Sequence, residues 1–306
     1  MRILSRLGSI IEILFMSLIA LFIKNKIIWS LLNKYSTSII NSKYQNKSQL
    51  DILRKDGISK SSIDQFSGLN TIFYEIKKKY FGANVNKTDG SDVFVNKDFF
   101  QYILGGNYPK ELQFFDVNDP IIKFASHPEV VSIVNNYLGI ASSLIYVEAN
   151  VSNPEACKIL KRRSQKWHRD PGLKGCIKLF VYFNDVISDG HGPFKFIKNT
   201  HQFGLNSNIF PQKFFGYGGK YPSEEEIENH KMKSDQISCM GREGMMIFAD
   251  TTGIHAGGNS YTHSRKMLTL VYYPKFDLQS KRVKINSFSS DLNHFNQEQS
   301  YLLGIE

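Results

Sequence analysis

Cysteine is scarce in this chain: the three present, Cys157, Cys176 and Cys239, are scattered through 306 residues. That excludes a disulfide framework and a cysteine zinc cluster, and it points to a reducing, cytoplasmic setting. A run of about 20 apolar residues, the length that spans a bilayer, is missing as well. The amino-terminal tract IIEILFMSLIALFI (10–23) stops at 14 residues and carries Glu12 and Ser17. Arg2, Ser5, Ser9 and Glu12 recur every three to four residues, which draws a polar stripe along a helix. Residues 1–45 are therefore expected to form a hydrophobic or amphipathic helix and linker, packed on the body or peripheral at a membrane surface, with spanning as the minority alternative. No small-residue cleavage site follows and positive charges flank both ends, which argues against a signal peptide. Acidic residues are outnumbered, 28 against 38 basic, for a formal net charge of +10. Such an excess attracts anionic or amphiphilic partners, yet no nucleic-acid motif, internal repeat or low-complexity tract accompanies it.

What the chain does have is apolar and aromatic residues. It is 42% apolar, with 23 Phe and 15 Tyr, ample for the core of a globular body that we place at 46–306, after a polar Asn/Ser-rich linker at 36–48. Helices are expected first. LDILRKDG stops at Gly57, and GLNTIFYEIKKKYF carries its lysines late. In SHPEVVSIVNNYLG, Ser126 reads as the N-cap and Gly139 as the stop. From residue 142 the pattern changes to strands: SLIYVEANV, CIKLFVYF, GPFKFI, GMMIFA and RKMLTLVYY. Strands without a helix between every pair predict a mainly β architecture with flanking helices, an antiparallel barrel or sandwich. The stretch 202–242 reads as a long loop able to cover a site, and its acidic block SEEEIE as a solvated face.

The chemistry gathers around WHRDPG (167–172). In an extended segment residues i and i+2 share a face, so His168 and Asp170 point one way while Trp167 and Arg169 turn away. Pro171 biases Asp170 towards extended geometry and ends the pairing. One nitrogen and one oxygen ligand undercoordinate a metal, so a third is required, and His255 is the best candidate. It follows a strand and a Thr-Thr-Gly turn, and Ala256, Gly257 and Gly258 after it leave room for a ligand to approach the backbone. Arg265 then opens an alternating strand whose same-face neighbours are Met267, Thr269 and Val271. A guanidinium on an apolar face needs an anionic partner, and a carboxylate suits its fork. Two histidines and a carboxylate form the facial triad of non-haem iron(II) oxygenases, although zinc accepts the same donors.

These segments, WHRDPG, FNDVISDGHGPFKFIKNTH and IFADTTGIHAGG with Arg265 after it, resemble the phytanoyl-CoA dioxygenase-like family of iron- and 2-oxoglutarate-dependent oxygenases. The likeness runs from about residue 120 to about 275. GHGP stands where the family has Asn-Gly-Pro, and KNTH where it has Pro-Gly-Ser-His; both touch loop shape and leave the ligands intact. The resemblance implies a double-stranded β-helix, a jelly-roll or cupin-like barrel, with Fe(II) held by His168, Asp170 and His255. It implies 2-oxoglutarate as cosubstrate with its far carboxylate on Arg265, O2 as oxidant, and hydroxylation of a small-molecule or lipid-like substrate. Asp170 disfavours the halogenating variant, which needs a small residue there. Lys178 and Tyr182, which share a strand face, together with Asn150, Val181 and Gly257, are the further cofactor-binding candidates. His127 and His191 read as surface residues, and His201 and His263 as near the site only in sequence. Two other classes compete: a noncatalytic ligand-binding barrel, and a zinc-dependent hydrolase or isomerase on the same barrel.

Overall fold

A computed structural model describes residues 47–82, 93–94, 113–152, 154, 163–172, 175–211, 221–230, 235–274, 283–286 and 294–305. The amino-terminal tract expected to form a hydrophobic helix, and all but the last two residues of the linker, lie outside them. In chain order the elements are α1 (Lys47–Asp56), β1 (Ile58–Ser62), α2 (Leu69–Phe81), β2 (Val93–Phe94), β3 (Gln113–Asp116), α3 (Pro120–Ala125) and α4 (Pro128–Leu138). Then follow β4 (Ser142–Ser152), β5 (Ile177–Tyr182), β6 (Phe194–Ile197), α5 (Glu224–Asn229), β7 (Gln236–Cys239) and β8 (Met245–Asp250). The last are β9 (His255–Ala256), β10 (Arg265–Pro274), β11 (Val283–Asn286) and α6 (Gln297–Leu303). Among the described residues, no helix is long and apolar enough to cross a membrane.

Two antiparallel sheets carry the architecture. The larger has six strands in the order β1-β8-β5-β10-β4-β2, and the smaller three in the order β7-β6-β9; β3 and β11 form a separate parallel pair. Every strand expected from residue 142 onward is present. Alternation gives the large sheet two unlike faces. Leu268, Leu270 and Tyr272 of β10, Leu179 and Val181 of β5, and Val147 and Ala149 of β4 pack against the helices in the main core. There Phe73 and Phe81 of α2 stack on Phe183 with ring centroids 4.4 and 4.5 Å apart, each ring contributing about 2–3 kcal/mol by burial. The other face turns towards the small sheet: Phe180, Tyr182, Ile247 and Met267 meet Phe194 and Phe196 in a second cluster. Val181 is thus on the helix side, away from the face that a cofactor would line.

Gly57 ends α1 as expected, at φ +79°, and a Cβ there would lie 2.5 Å from His201 Nδ1. Gly139 closes α4 at φ +67°, its N–H donating to Asn135 O. Two expectations need correction. Ser126 is not the N-cap of α4: it caps the end of α3, its hydroxyl donating to Ile122 O, and His127 stands at the start of α4. The stretch 202–242 is not one loop, because β7 pairs with β6 and α5 starts in a capping box between Ser223 and Glu226. The acidic block read as a solvated face supplies that box and the charges that suit a helix N-terminus.

Candidate metal centre

His168 lies just outside the ladders but forms an isolated antiparallel bridge to His255. Each residue's N–H donates to the other's carbonyl at 2.9 Å. Asp170 is fixed two residues on, its N–H donating to Thr251 O at 2.8 Å. Thr251 belongs to the turn between β8 and β9, and that turn is shaped by buried Asp250. One Asp250 oxygen accepts from Thr252 N at 3.1 Å and Thr252 Oγ1 at 2.7 Å, and the other from Tyr137 Oη at 2.7 Å. Beyond Asp170, Tyr273 Oη donates to Pro171 O at 2.6 Å. The sequence-predicted triad therefore rests on backbone contacts between two segments, 168–170 and 251–255.

Ligand atoms of His168, Asp170 and His255 all lie within 4.8 Å of one another. Each imidazole uses Nδ1 on a backbone carbonyl two residues earlier: His168 on Lys166 O at 2.8 Å, His255 on Gly253 O at 3.0 Å. A carbonyl only accepts, so both Nδ1 atoms carry the proton and both Nε2 lone pairs are left for a metal, the tautomer a ligating histidine needs. Both Nε2 atoms face Asp170, at 3.8 Å from Oδ1 for His168 and 3.4 Å from Oδ2 for His255. Burial, reinforced by His255, pushes the His168 imidazole down to about 3. For Asp170, burial opposes the charge, but the Lys178 ammonium and then His255 and His168 hold its carboxyl well below the usual range. A neutral imidazole beside an ionised carboxylate is the donor state a divalent cation requires. The three residues are placed so that they could hold a divalent metal ion.

The remaining site candidates divide. Arg265 is 5% exposed on the inner face of β10; its guanidinium donates to Gly192 O and to Ser152 Oγ at 3.1 Å, while Nε is buried without a partner. Among the described residues, its hydrogen-bond partners are neutral. Asn150, opposite Met267 on the same face, donates to Glu148 Oε1 at 3.3 Å and has a buried Oδ1 without a partner. Lys178 reaches Asp170, with Nζ 2.6 Å from Oδ2. Tyr182 lies inside, but its hydroxyl bridges Cys239 O and Phe194 N, each at 3.0 Å, as a structural tie. Gly257 N–H donates to Ser164 O at 2.7 Å. The room expected around the small residues is taken by the chain itself: a Cβ on Gly258 would lie 2.3 Å from Pro193 O.

Of the other histidines, His201 is fully buried and contacts Arg54 O, and His263 packs against His191 with ring centroids 4.5 Å apart. His127 is half-buried, with Nε2 on Ser67 O at 3.0 Å. Two residues near the site escaped the sequence reading. Arg169 does turn away from the metal face, but into the protein, where its fork grips five backbone carbonyls. Tyr221 stacks on His168 with centroids 5.9 Å apart and is 55% exposed, which puts an aromatic ring at the mouth of the triad.

No family model matches the sequence, and no curated protein matches it significantly. The chain is similar to several solved structures. The non-haem α-ketoglutarate-dependent epimerase SnoN from nogalamycin biosynthesis is 13% identical, covering 76% of this chain and 85% of its own, with a TM-score of 0.49. HygX from Streptomyces hygroscopicus, solved with nickel, 2-oxoglutarate and hygromycin B bound, is 13% identical over 76% and 88%, with a TM-score of 0.46. EctD from S. alaskensis, solved with 2-oxoglutarate and 5-hydroxyectoine, is 15% identical over 77% and 80%, with a TM-score of 0.47.

Proposed function

We propose that this protein is an iron(II)- and 2-oxoglutarate-dependent oxygenase that hydroxylates a small molecule. Its two antiparallel sheets are read as one double-stranded β-helix within a body spanning 46–306. The observation that carries this reading is the pairing of two features on one inner surface. Three ligand atoms converge with their tautomers already set, and among the described residues a buried Arg265 has only neutral partners. Zinc would accept the triad, but a zinc hydrolase has no use for an inward guanidinium awaiting a carboxylate, whereas 2-oxoglutarate brings one.

When bound, iron and 2-oxoglutarate would let O2 act as the oxidant: one oxygen atom would go into the succinate formed with carbon dioxide from the cosubstrate, and the other into the substrate. The chain's own task is to hold and orient. His168, Asp170 and His255 would hold the metal, Arg265 the far carboxylate of the cosubstrate, and Asn150 lies along the wall between them. Phe180, Tyr182, Phe194 and Met267 keep that wall apolar and exclude water from the oxidant. The test is anaerobic addition of Fe(II) and 2-oxoglutarate, which should give a weak visible charge-transfer band, followed by air, which should give succinate. Folded protein that shows neither, or that turns over with zinc instead, would overturn the proposal.

A further inference from the structure

We propose that Lys178 is a positioning residue for the metal: its ammonium retains one oxygen of Asp170, so that the carboxylate offers the metal a single oxygen and the positions needed by a chelating cosubstrate stay open. The inference rests on the reading of His168, Asp170 and His255 as metal ligands and adds a device that this ligand set does not itself require.

The geometry begins with the register of β5. Lys178 stands opposite Val271 of β10 on one side and Ala249 of β8 on the other, both buried. Its aliphatic stem is therefore walled by apolar neighbours on the inner face, and its side chain is 19% exposed. A lysine stem lies along apolar surface and delivers its charge at the tip. Here the tip arrives 2.6 Å from Asp170 Oδ2 as a close ion pair. The two carboxylate oxygens thus have unlike surroundings. Oδ2 lies beside Lys178 and His255 Nε2, while Oδ1 is turned to His168 Nε2.

Two physical consequences follow. A carboxylate with both oxygens available can close two positions on a metal, and a facial triad depends on the open ones. An ammonium on one oxygen prevents that. A second cation beside a cation site also costs metal affinity through repulsion, so the arrangement is useful only if the geometry it enforces matters more. The competing account is that Lys178 merely neutralises a buried carboxylate in the place a metal would take. It agrees that removing the lysine does not weaken metal binding, but it predicts that the affinity for the cosubstrate stays unchanged.

The test compares the full chain with Lys178→Met and Lys178→Arg, with folding checked by circular dichroism and melting temperature. Mn(II) affinity is measured by calorimetry, and 2-oxoglutarate is then titrated into the Fe(II)-loaded protein without oxygen. Wild-type protein that binds neither metal sinks the ligand reading itself, before Lys178 is in question. With the wild type binding, Lys178→Met should hold Mn(II) at least as well as the wild type to within about threefold. Its affinity for 2-oxoglutarate should fall about tenfold or more, the range expected of a partner that orients a ligand. Lys178→Arg should recover most of that loss. Unchanged 2-oxoglutarate affinity in Lys178→Met, or loss of Mn(II) binding, overturns the proposal. If Lys178→Met does not fold, Lys178→Gln replaces it in the same two titrations.

Discussion

His168 and His255 are joined main chain to main chain, N–H to carbonyl in both directions at 2.9 Å, although 87 residues separate them. The bridge does not depend on either imidazole, so the rings can be removed while the backbone that aims them remains. His168→Ala, Asp170→Ala and His255→Ala should each fold and each lose metal affinity by about 100-fold or more, beyond the loss typical of a residue that only supports a ligand. Calorimetric titration with Mn(II) checks this. A variant that binds as tightly as the wild type would remove that residue from the triad.

Arg265 separates cosubstrate from metal. Its guanidinium is anchored to Gly192 O and Ser152 Oγ. Arg265→Ala should leave Mn(II) binding unchanged and weaken 2-oxoglutarate about 10- to 100-fold, the effect of losing a charge-assisted pair. Arg265→Lys should recover only part, since an ammonium lacks the fork. Anaerobic titration of the charge-transfer band with Fe(II) reads the 2-oxoglutarate affinity of both variants, and calorimetry reads their Mn(II) affinity.

The parts of this site legible in sequence were those with a local rule behind them. His168 and Asp170 obey the i, i+2 rule of an extended chain, and His255 follows a turn of Thr-Thr-Gly after an apolar strand. Arg265 was conspicuous as a charge on an otherwise apolar strand face. The contact of Lys178 with Asp170 was not legible, because it depends on how β5 sits against the loop before it. Tyr137 and Asp250, whose hydrogen bond shapes the turn before His255, lie 113 residues apart and carry no motif. β1, with the sequence ISKSS, has too little apolar alternation to announce a strand; it exists because β8 offers it an edge. The capping box at Ser223 was readable but was absorbed into an acidic block.

Arg169 tests the scaffold rather than the chemistry. Its guanidinium donates to Phe210 O at 2.9 Å, Ile209 O at 2.7 Å, Thr252 O at 2.6 Å, Ser207 O at 3.3 Å, and Thr200 O. Burial pushes the group down to about 10, so it stays charged at neutral pH. Arg169→Met should cost about 3 kcal/mol, because the buried carbonyls lose their donors together. Urea unfolding at pH 7.5 measures the cost, and a loss under about 1 kcal/mol would show that the loop and the Thr252 turn are held by other contacts.

His201 should make the protein acid-sensitive. The ring is fully buried, Nε2 donates to Arg54 O at 3.1 Å, and Nδ1 is buried without a partner under the Gly57 turn. Burial lowers its pKa, with Arg169 acting in the same direction and Asp250 and Asp56 against it. Above the unfolded value of about 6.5 the ring is neutral in both states and contributes no pH dependence. As pH falls through that value the unfolded chain takes up a proton that the folded chain refuses, and stability is lost until the folded pKa is reached. His201→Asn keeps a donor for Arg54 O but cannot titrate, so its stability should fall less steeply than that of the wild type. Urea unfolding of both proteins at pH 7.5, 6.5 and 5.5 gives the two slopes; equal slopes would mean that the acid sensitivity lies elsewhere in the fold.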